Sequence, residues 1–579
     1  MNRTRVVFLF VVVAAAAVAG GALMLGPRWG HEPTGGAATT VPTAEETVDV
    51  VVASASTKQR WIEDVAARFN AGKSRTASGK PIRIVPVPVL SGGSLEDILQ
   101  GKLKPAAWSP GAQSWVQELD AQWQGRTGST LTSGACRPTI TTPLGLAMWR
   151  PMAEALGWPG RKVSWKTIID LAADPAGWAT LGHPEWGRFR LGYPHPGYSN
   201  VGMLFMASVV YGVRGKTMNL EPAEIYGDDV RKALAALAQN TSKYGLVSVD
   251  LLDAMAAHGP QFLHAVAAFE NDTVQYNVEK AEQLRFPLAF VIPAEGTFWA
   301  DQPYCVLDKA DWVTQEQAEG ARMFLDYLLQ PDQQVLALNS GLRPLDAAVP
   351  LREPLDLEHG TDPGIVPGIR PSLEAPSGDT MRAIADLFLI TKRKATVLIV
   401  LDVSGSMDGE KMRAATTSTV NFIKRLHPQD IVGLETFSDS VRTLFPPRPV
   451  AEVAEDLEKT VADLISEGGT ALNAATCQAM KTMEEQRTAD EAASLNRLYG
   501  IVLLTDGNDT TGGISENEMM TTCLPSDAES AGIRIYPIAF GADADTAILD
   551  RIAKVTGGRM FRADPDSIER IYVSVSAEQ

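Results

Sequence analysis

The chain opens on an apolar run. No charged residue lies between Arg5 and Arg28, and residues 6–26 are apolar or Gly throughout. At about 1.5 Å per helical residue, such a run is just long enough to cross a hydrocarbon core of about 30 Å. Arg3 and Arg5 precede it, so the charge pattern predicts an N-terminus inside and the rest of the chain outside. The run predicts an uncleaved signal anchor over 1–27. A cleavable signal peptide is the alternative, because Ala17-Val18-Ala19 resembles an A-x-A cleavage site. Either reading exports the remainder of the chain. Residues 28–47 are polar and rich in Gly and Thr, and predict a flexible stalk.

From residue 48 the pattern turns into alternating strands and helices. Residues 48–53 form a short buried-strand run. Residues 58–70 place Trp61, Ile62, Val65 and Phe69 on one helical face. A second strand spans 82–87, and Ser91-Gly92-Gly93-Ser94 predicts a helix opening at Leu95. The alternation continues to about residue 343, with a late strand at 286–292 and a helix at 323–339 interrupted near Pro331. It predicts a mainly parallel sheet. Seven prolines then fall between Pro344 and Ser377, which predicts an inter-domain linker, followed by a bridging helix at 380–392. A second α/β unit runs from residue 394 to the end. Its strands are 395–401, 430–438 and the apolar run ending at Thr505-Asp506-Gly507. No internal repeat of 20–50 residues occurs, which disfavours solenoids and propellers.

Composition narrows the function classes. The 579 residues are 45% hydrophobic and 21% charged, the balance of a folded globular protein. The net charge of −17 comes from 52 basic and 69 acidic side chains, with no basic cluster, so nucleic acid is not an expected partner. The seven His are scattered and form no H-E-x-x-H; there is no P-loop and no G-x-S-x-G elbow. The chain is therefore not expected to be an enzyme. The four cysteines, Cys136, Cys305, Cys477 and Cys523, form no C-x-x-C pair, which argues against zinc and thioredoxin-like chemistry. In an exported chain disulfides are the default, with buried free thiols as the alternative.

The strand at 395–401 ends in Asp402-Val403-Ser404-Gly405-Ser406-Met407. An acid and two hydroxyls thus meet at the carboxyl end of a strand, where open α/β sheets bind ligands. Hard cations such as Mg²⁺ take oxygen ligands. Glu467-Gly468-Gly469-Thr470 supplies a third hydroxyl, and Thr505-Asp506-Gly507 a second acid. These residues resemble the metal-ion-dependent adhesion site of the von Willebrand factor type A domain, with Asp402, Ser404, Ser406, Thr470 and Asp506 in the metal-binding positions. The resemblance covers about residues 394–575, within an expected domain over 394–579. It implies a Rossmann-like domain with a central, mostly parallel sheet that binds Mg²⁺, with Mn²⁺ or Ca²⁺ as alternatives. The implied partner is a protein that offers an Asp or Glu carboxylate to the ion. Asp408, Asp439, Asp509 and Asp543 are nearby acids, expected to be solvated loop residues rather than a second cation site.

Residues 48–345 are similar to bacterial extracellular solute-binding proteins of the two-lobed, periplasmic type II class. The similarity rests on VVVASASTKQRWIEDVAARFN, on Trp108-Ser109-Pro110 with Trp115, and on a crossover strand within 136–150. It rests further on His195-Pro196-Gly197-Tyr198-Ser199-Asn200, on Ala267-Ala268-Phe269-Glu270-Asn271, and on Gly341-Leu342-Arg343-Pro344. It implies lobe one at 48–142 and 290–345, lobe two at 143–289, and 346–393 as linker and bridging helix. It also implies a cleft lined by helix starts, with Ser54, Ser56 and Thr57 before one helix, Ser91, Gly92, Gly93 and Ser94 before another, and Ser199 and Asn200 before a third. Free N–H groups there suit a small solute or anion, although helix capping uses the same residue types. Glu270 is expected either to contact a ligand or to face solvent. A domain boundary in the Pro-rich stretch, and hinge strands near Cys136 and Cys305, favour the pairs Cys136–Cys305 and Cys477–Cys523 among the three pairings that four cysteines allow.

Together these features predict a membrane-anchored binding protein outside the cytoplasm. Its type A domain would engage a protein partner, and its first domain would hold an unidentified solute. One alternative is a solute receptor of an ABC-type transporter with the type A domain as docking module. Another is an assembly factor for a metal enzyme; type A domains of that kind work with intracellular AAA+ partners, which the export signal disfavours.

Overall fold

The computed structural model describes residues 46–579 apart from 347, 527–531, 542–543, 566 and 579. The expected anchor and nearly all of the expected stalk therefore lie outside the described residues. Among those described, no helix is long and apolar enough to cross a membrane.

β1 (Val48–Ala55), β2 (Ile82–Val89) and β3 (Ala107–Ser109) are parallel, with β1 in the middle. The chain then builds a second sheet from β4 (Thr142–Trp149), β5 (Leu191–Pro194), β6 (Thr241–Gly245), β7 (Ala265–Phe269) and β8 (Leu288–Val291). It returns through β9 (Trp299–Ala300), paired with β4, and β10 (Cys305–Val306), which pairs antiparallel with β3. These two sheets make a two-lobed α/β architecture. The second sheet is mixed rather than mainly parallel, because β4 runs antiparallel to both β7 and β8. Antiparallel β4 is the strand by which the chain enters this sheet, and strand–helix alternation in sequence does not encode that direction.

The first core forms as the pattern requires. Trp61, Ile62, Val65 and Phe69 of the helix Gln59–Ala71 pack with Val50 and Val52 of β1 and with Phe324 and Leu328 of the helix Gln315–Leu328. That last helix approaches closely at Gly320, where a Cβ would lie 2.8 Å from a Val50 methyl. The interrupted helix near Pro331 is two helices, Gln315–Leu328 and Pro331–Leu338, because Pro331 opens the second at a position needing no N–H. The late strand is shorter than expected, at Leu288–Val291, and Phe286 is exposed.

The Pro-rich stretch is built into the fold. Leu355 packs on Val274 and Leu338, Ser372 bridges to Thr297, and Leu373 is buried. The helix after it, Gly378–Thr391, does more than bridge. Its Phe388 ring meets Tyr193, Tyr244 and His195 in the core of the second sheet. Its Arg382 reaches Glu118 on the helix Gln113–Thr127 at 2.7 Å.

The C-terminal unit is a six-stranded sheet in the order β13-β12-β11-β14-β15-β16. Its strands are β11 (Ala395–Asp402), β12 (Ile431–Phe437), β13 (Val441–Pro449), β14 (Leu498–Thr505), β15 (Ile533–Phe540) and β16 (Phe561–Ala563). All neighbours are parallel except β12 with β13. Successive β11 side chains serve opposite faces. Val397, Ile399 and Leu401 meet the helices Glu410–Ile423 and Val450–Ala462, while Leu398 and Val400 meet Leu472–Ala492 and Thr546–Val555. Burial on both faces explains the unbroken apolar run. Both disulfides pair as expected, Cys136 with Cys305 and Cys477 with Cys523.

Candidate functional site

β11 and β14 are parallel neighbours, with Leu401 opposite Leu504. The next residue of each, Asp402 and Thr505, therefore stand side by side at the carboxyl edge of the sheet. Thr505 Oγ1 donates to Asp402 Oδ2 at 2.6 Å, and the Ser404 N–H donates to Asp402 Oδ1 at 2.8 Å. The loop after β11 then turns back on itself. Ser404 and Ser406 hydroxyls lie 3.0 Å apart, and Ser406 Oγ donates to Asp506 Oδ1 at 2.7 Å. Asp402, Ser404 and Asp506 are buried, whereas Ser406 is exposed at the rim.

Thr470 arrives from a third loop. The Gly405 N–H donates to Gly468 O at 3.0 Å, which ties this loop to the first. A Cβ on Gly507 would lie 3.7 Å from Thr470 Oγ1, so the hydroxyl stands beside the turn carrying Asp506. Asp439 and Asp509 brace the loop, with Asp439 Oδ1 accepting from Gly469 N at 2.8 Å and Asp509 Oδ2 from Asn473 N at 2.9 Å. Asp408 accepts from Ser466 Oγ at 3.2 Å. Asp543 lies outside the described residues.

The donor set is two carboxylates and three hydroxyls, oxygen only, as a hard cation requires. Among the described residues no group of three or more His, Cys, Asp or Glu could hold a metal, so a cation here would depend on the hydroxyls. Burial raises the Asp402 carboxyl above its ordinary range; hydrogen bonds from Ser404 and Thr505 oppose this, and the Asp506 charge adds to it. Two acids that disfavour each other's charge favour a shared cation. The residues fit Mg²⁺. One side chain competes: Lys411 Nζ donates to Asp506 Oδ2 at 2.6 Å. The sequence offered only weak signals for Lys411 and Thr505, one lying in the helix after the motif and the other just before its last acid.

A second candidate site lies between the first two sheets. A cavity of about 270 Å³ is lined by Ser56, Thr57, Ser91, Ser199 and Asn200, all expected there. It is also lined by Ser248 and Asp272, which sequence reasoning missed. The other expected residues sit elsewhere. Ser54 is fully buried on β1, and its hydroxyl has no partner. Ser91 to Ser94 form the first turn of the helix Ser91–Leu99, which starts four residues before Leu95. Ser94 Oγ accepts from Trp108 Nε1 at 2.9 Å and donates to Ser91 O, so it serves the core. Gly92 packs against the Gly197 and Tyr198 carbonyls, which a Cβ would strike, and Gly93 does not line the cavity. Glu270 neither lines the cavity nor faces solvent. It is fully buried and paired with Arg343 through two contacts of 2.5 and 2.7 Å, with Thr361 as a further donor.

Three contacts close the cleft around the cavity. Trp115 Nε1 donates to Asn200 Oδ1 at 2.9 Å, Asn271 Nδ2 to Thr57 O at 3.0 Å, and Gly92 N to Tyr198 O at 3.3 Å. Burial raises the Asp272 carboxyl to about 7, opposed by hydrogen bonds from the Phe269 backbone and from Ser248. It lies three residues beyond the buried strand β7, a placement that could have signalled it.

Residues 50–343 match the family model for bacterial extracellular solute-binding proteins, and residues 396–572 match that for the von Willebrand factor type A domain. An uncharacterized protein of Mycobacterium tuberculosis (strain H37Rv) is 24% identical over 529 residues, 87% of this chain and 74% of that protein. Human inter-alpha-trypsin inhibitor heavy chain H4 is 29% identical over 185 residues, 31% of this chain and 19% of that protein. Among solved structures, the sulfate-binding protein SubI of Mycobacterium tuberculosis H37Rv aligns at 14% identity with a TM-score of 0.37, covering 52% of this chain and 88% of that one.

Proposed function

The chain belongs to the family of bacterial extracellular solute-binding proteins, and from that premise we propose that it is a membrane-anchored receptor outside the cytoplasm with two binding sites. The cleft between the lobes holds a small solute. The type A domain holds Mg²⁺ through Ser404, Ser406 and Thr470, with Asp402 and Asp506 supporting it, and engages a protein partner. Mn²⁺ or Ca²⁺ would satisfy the same oxygen donors.

The observation that supports this reading most is the hydroxyl–carboxylate chain from Ser404 through Ser406 to Asp506, with Ser406 exposed at the rim. A cation held mainly by neutral hydroxyls keeps net positive charge and attracts an outside carboxylate. The apolar segment 6–26 supplies the anchor. Calorimetric titration with Mg²⁺ tests the metal site on the wild type, Asp402→Asn and Ser406→Ala. Both variants are expected to lose binding, and equal binding by all three proteins would contradict the proposal.

The interlobe cavity favours a second, compatible reading for the first domain, solute capture on behalf of a transporter. The helix Ser248–His258 supports a link between the two sites. Its Ser248 lines the cavity, and its Asp250 pairs with Arg559 of the type A unit at 2.5 Å.

A further inference from the structure

The two lobes meet in two sets of contacts that differ in kind. The first lies beside β4, where the chain crosses between lobes. There Arg343 is held by the buried Glu270, Gln275 Nε2 donates to Ser340 O at 2.9 Å, and Asn271 bonds both Thr142 of β4 and Thr57 O. Contacts next to a crossover persist when lobes hinge about it. The second set is carried by the helix Gln113–Thr127 of lobe one. Its Trp115 meets Asn200 of lobe two, and about one turn on its Glu118 meets Arg382. Opening the cleft has to break this second set.

Arg382 belongs to the helix Gly378–Thr391, which follows the Pro-rich stretch. Lobe two holds that helix firmly. Ile384, Leu387 and Phe388 are at most 1% exposed, and the Phe388 ring meets Tyr193 and Tyr244. Thr380 Oγ1 donates to Leu220 O at 3.0 Å, and Tyr226 donates to Asp386 at 3.4 Å. The start of the same helix also reaches lobe one. Arg382 Nη1 donates to both carboxylate oxygens of Glu118, at 2.7 and 3.0 Å. The Gly378 backbone lies against that carboxylate, which a Cβ there would strike. Met381, Ile384 and Leu387 share one apolar core with Trp115, Val116 and Leu119 of lobe one.

The Glu118 side chain is 9% exposed, against 58% for Arg382. Among the described residues Arg382 is the only cation paired with Glu118, whose other donor is the neutral Gln122 amide at 2.8 Å. A buried carboxylate that loses its counter-charge is costly until water reaches it. Another charged pair across the lobes, Arg60 with Glu279, is about half exposed on both sides and contributes little.

We propose that Gly378–Thr391 is a latch: anchored in lobe two, it holds lobe one through Glu118 and keeps the interlobe cavity shut until its first turns let go. Its bearing on solute exchange rests on the solute-receptor reading above, whereas the latch itself is tested without a solute.

Spin labels on Lys102→Cys in lobe one and Lys232→Cys in lobe two of the full chain report the interlobe distance. Labels on Lys232→Cys and Glu282→Cys report a control distance within lobe two; all three side chains are exposed. The intact latch is expected to give a single narrow interlobe distribution. Gly378→Leu combined with Arg382→Glu wedges the helix start and sets like charges together. That double variant is expected to shift the interlobe distribution to longer distances and to leave the control pair unchanged. Arg382→Lys keeps the charge and is expected to keep the closed distribution. An unshifted interlobe distance in the double variant overturns the latch, and so does a shift of the control pair, which would mean that lobe two itself has come apart. A shift for Arg382→Lys equal to that of the double variant overturns the part given to the Glu118 charge. None of these outcomes bears on whether the cavity binds a solute.

Discussion

Lys243 Nζ lies 2.5 Å from Glu578 Oε2, and both side chains are almost wholly buried. The pair joins β6 of the second sheet to the end of the C-terminal helix, Ile568–Ala577, of the type A unit. Arg559 stands between the same two parts, 2.5 Å from Asp250 and 3.8 Å from Glu578. The solute-binding and type A units therefore meet through buried charge rather than through a bare tether.

Removing one member of a buried ion pair leaves the other uncompensated, at a cost of about 3–5 kcal/mol. Lys243→Met is expected to lower the stability of the full chain by that order in thermal or urea unfolding. Lys232→Met, an exposed site nearby in sequence, is expected to change it by less than about 0.5 kcal/mol. Equal effects would mean that the Lys243 pair does not hold the units together.

Asp272→Asn gives a pH signature. Burial lifts the Asp272 carboxyl from 3.8 to about 7. Between those values the folded chain keeps a proton that the unfolded chain has released. The stability contribution of Asp272 therefore falls as pH rises through the window and is level above it. Asn imitates the protonated acid and does not titrate. The variant is expected to melt with the wild type near pH 4 and above it at pH 8, by an amount on the order of a few kcal/mol. A gap that does not change with pH would contradict the placement of Asp272 in a dry site.

Lys411 makes the third case. Its ammonium neutralises Asp506 at 2.6 Å and is about one-third exposed. A like charge near a divalent ion costs about 1–4 kcal/mol at 4 Å, depending on screening. Lys411→Met is expected to tighten Mg²⁺ binding roughly tenfold by calorimetry. Unchanged affinity would place the ion away from Asp506.

The candidate cation loop was legible because most of its parts are local. Asp402, Ser404 and Ser406 share one stretch of chain, and Asp506 follows a strand whose apolar run marks it as central. The strand–helix alternation was legible through its periods and the two lobes through the resemblance to solute-binding proteins, but the direction of β4 was not, since antiparallel pairing depends on long-range neighbours. In the cleft, residue type misled. Ser94 and Ser91 look alike in sequence, yet one bonds Trp108 and the other lines the cavity. Glu270 and Asp272 lie two residues apart, and only tertiary packing gives Arg343 to the first and the cavity to the second. The lysines that matter most, Lys58, Lys243 and Lys411, carry no motif, because their partners lie far away in sequence or on another strand.

The proposed function turns on a cation held at the carboxyl edge of β11 and β14, and crystals grown with Mn²⁺ put that cation to the test. One strong anomalous peak is expected within bonding distance of the Ser404 and Ser406 hydroxyls and beside Asp506. Saturating Mn²⁺ with no peak there, or with peaks only at loop acids such as Asp439 and Asp509, would contradict it.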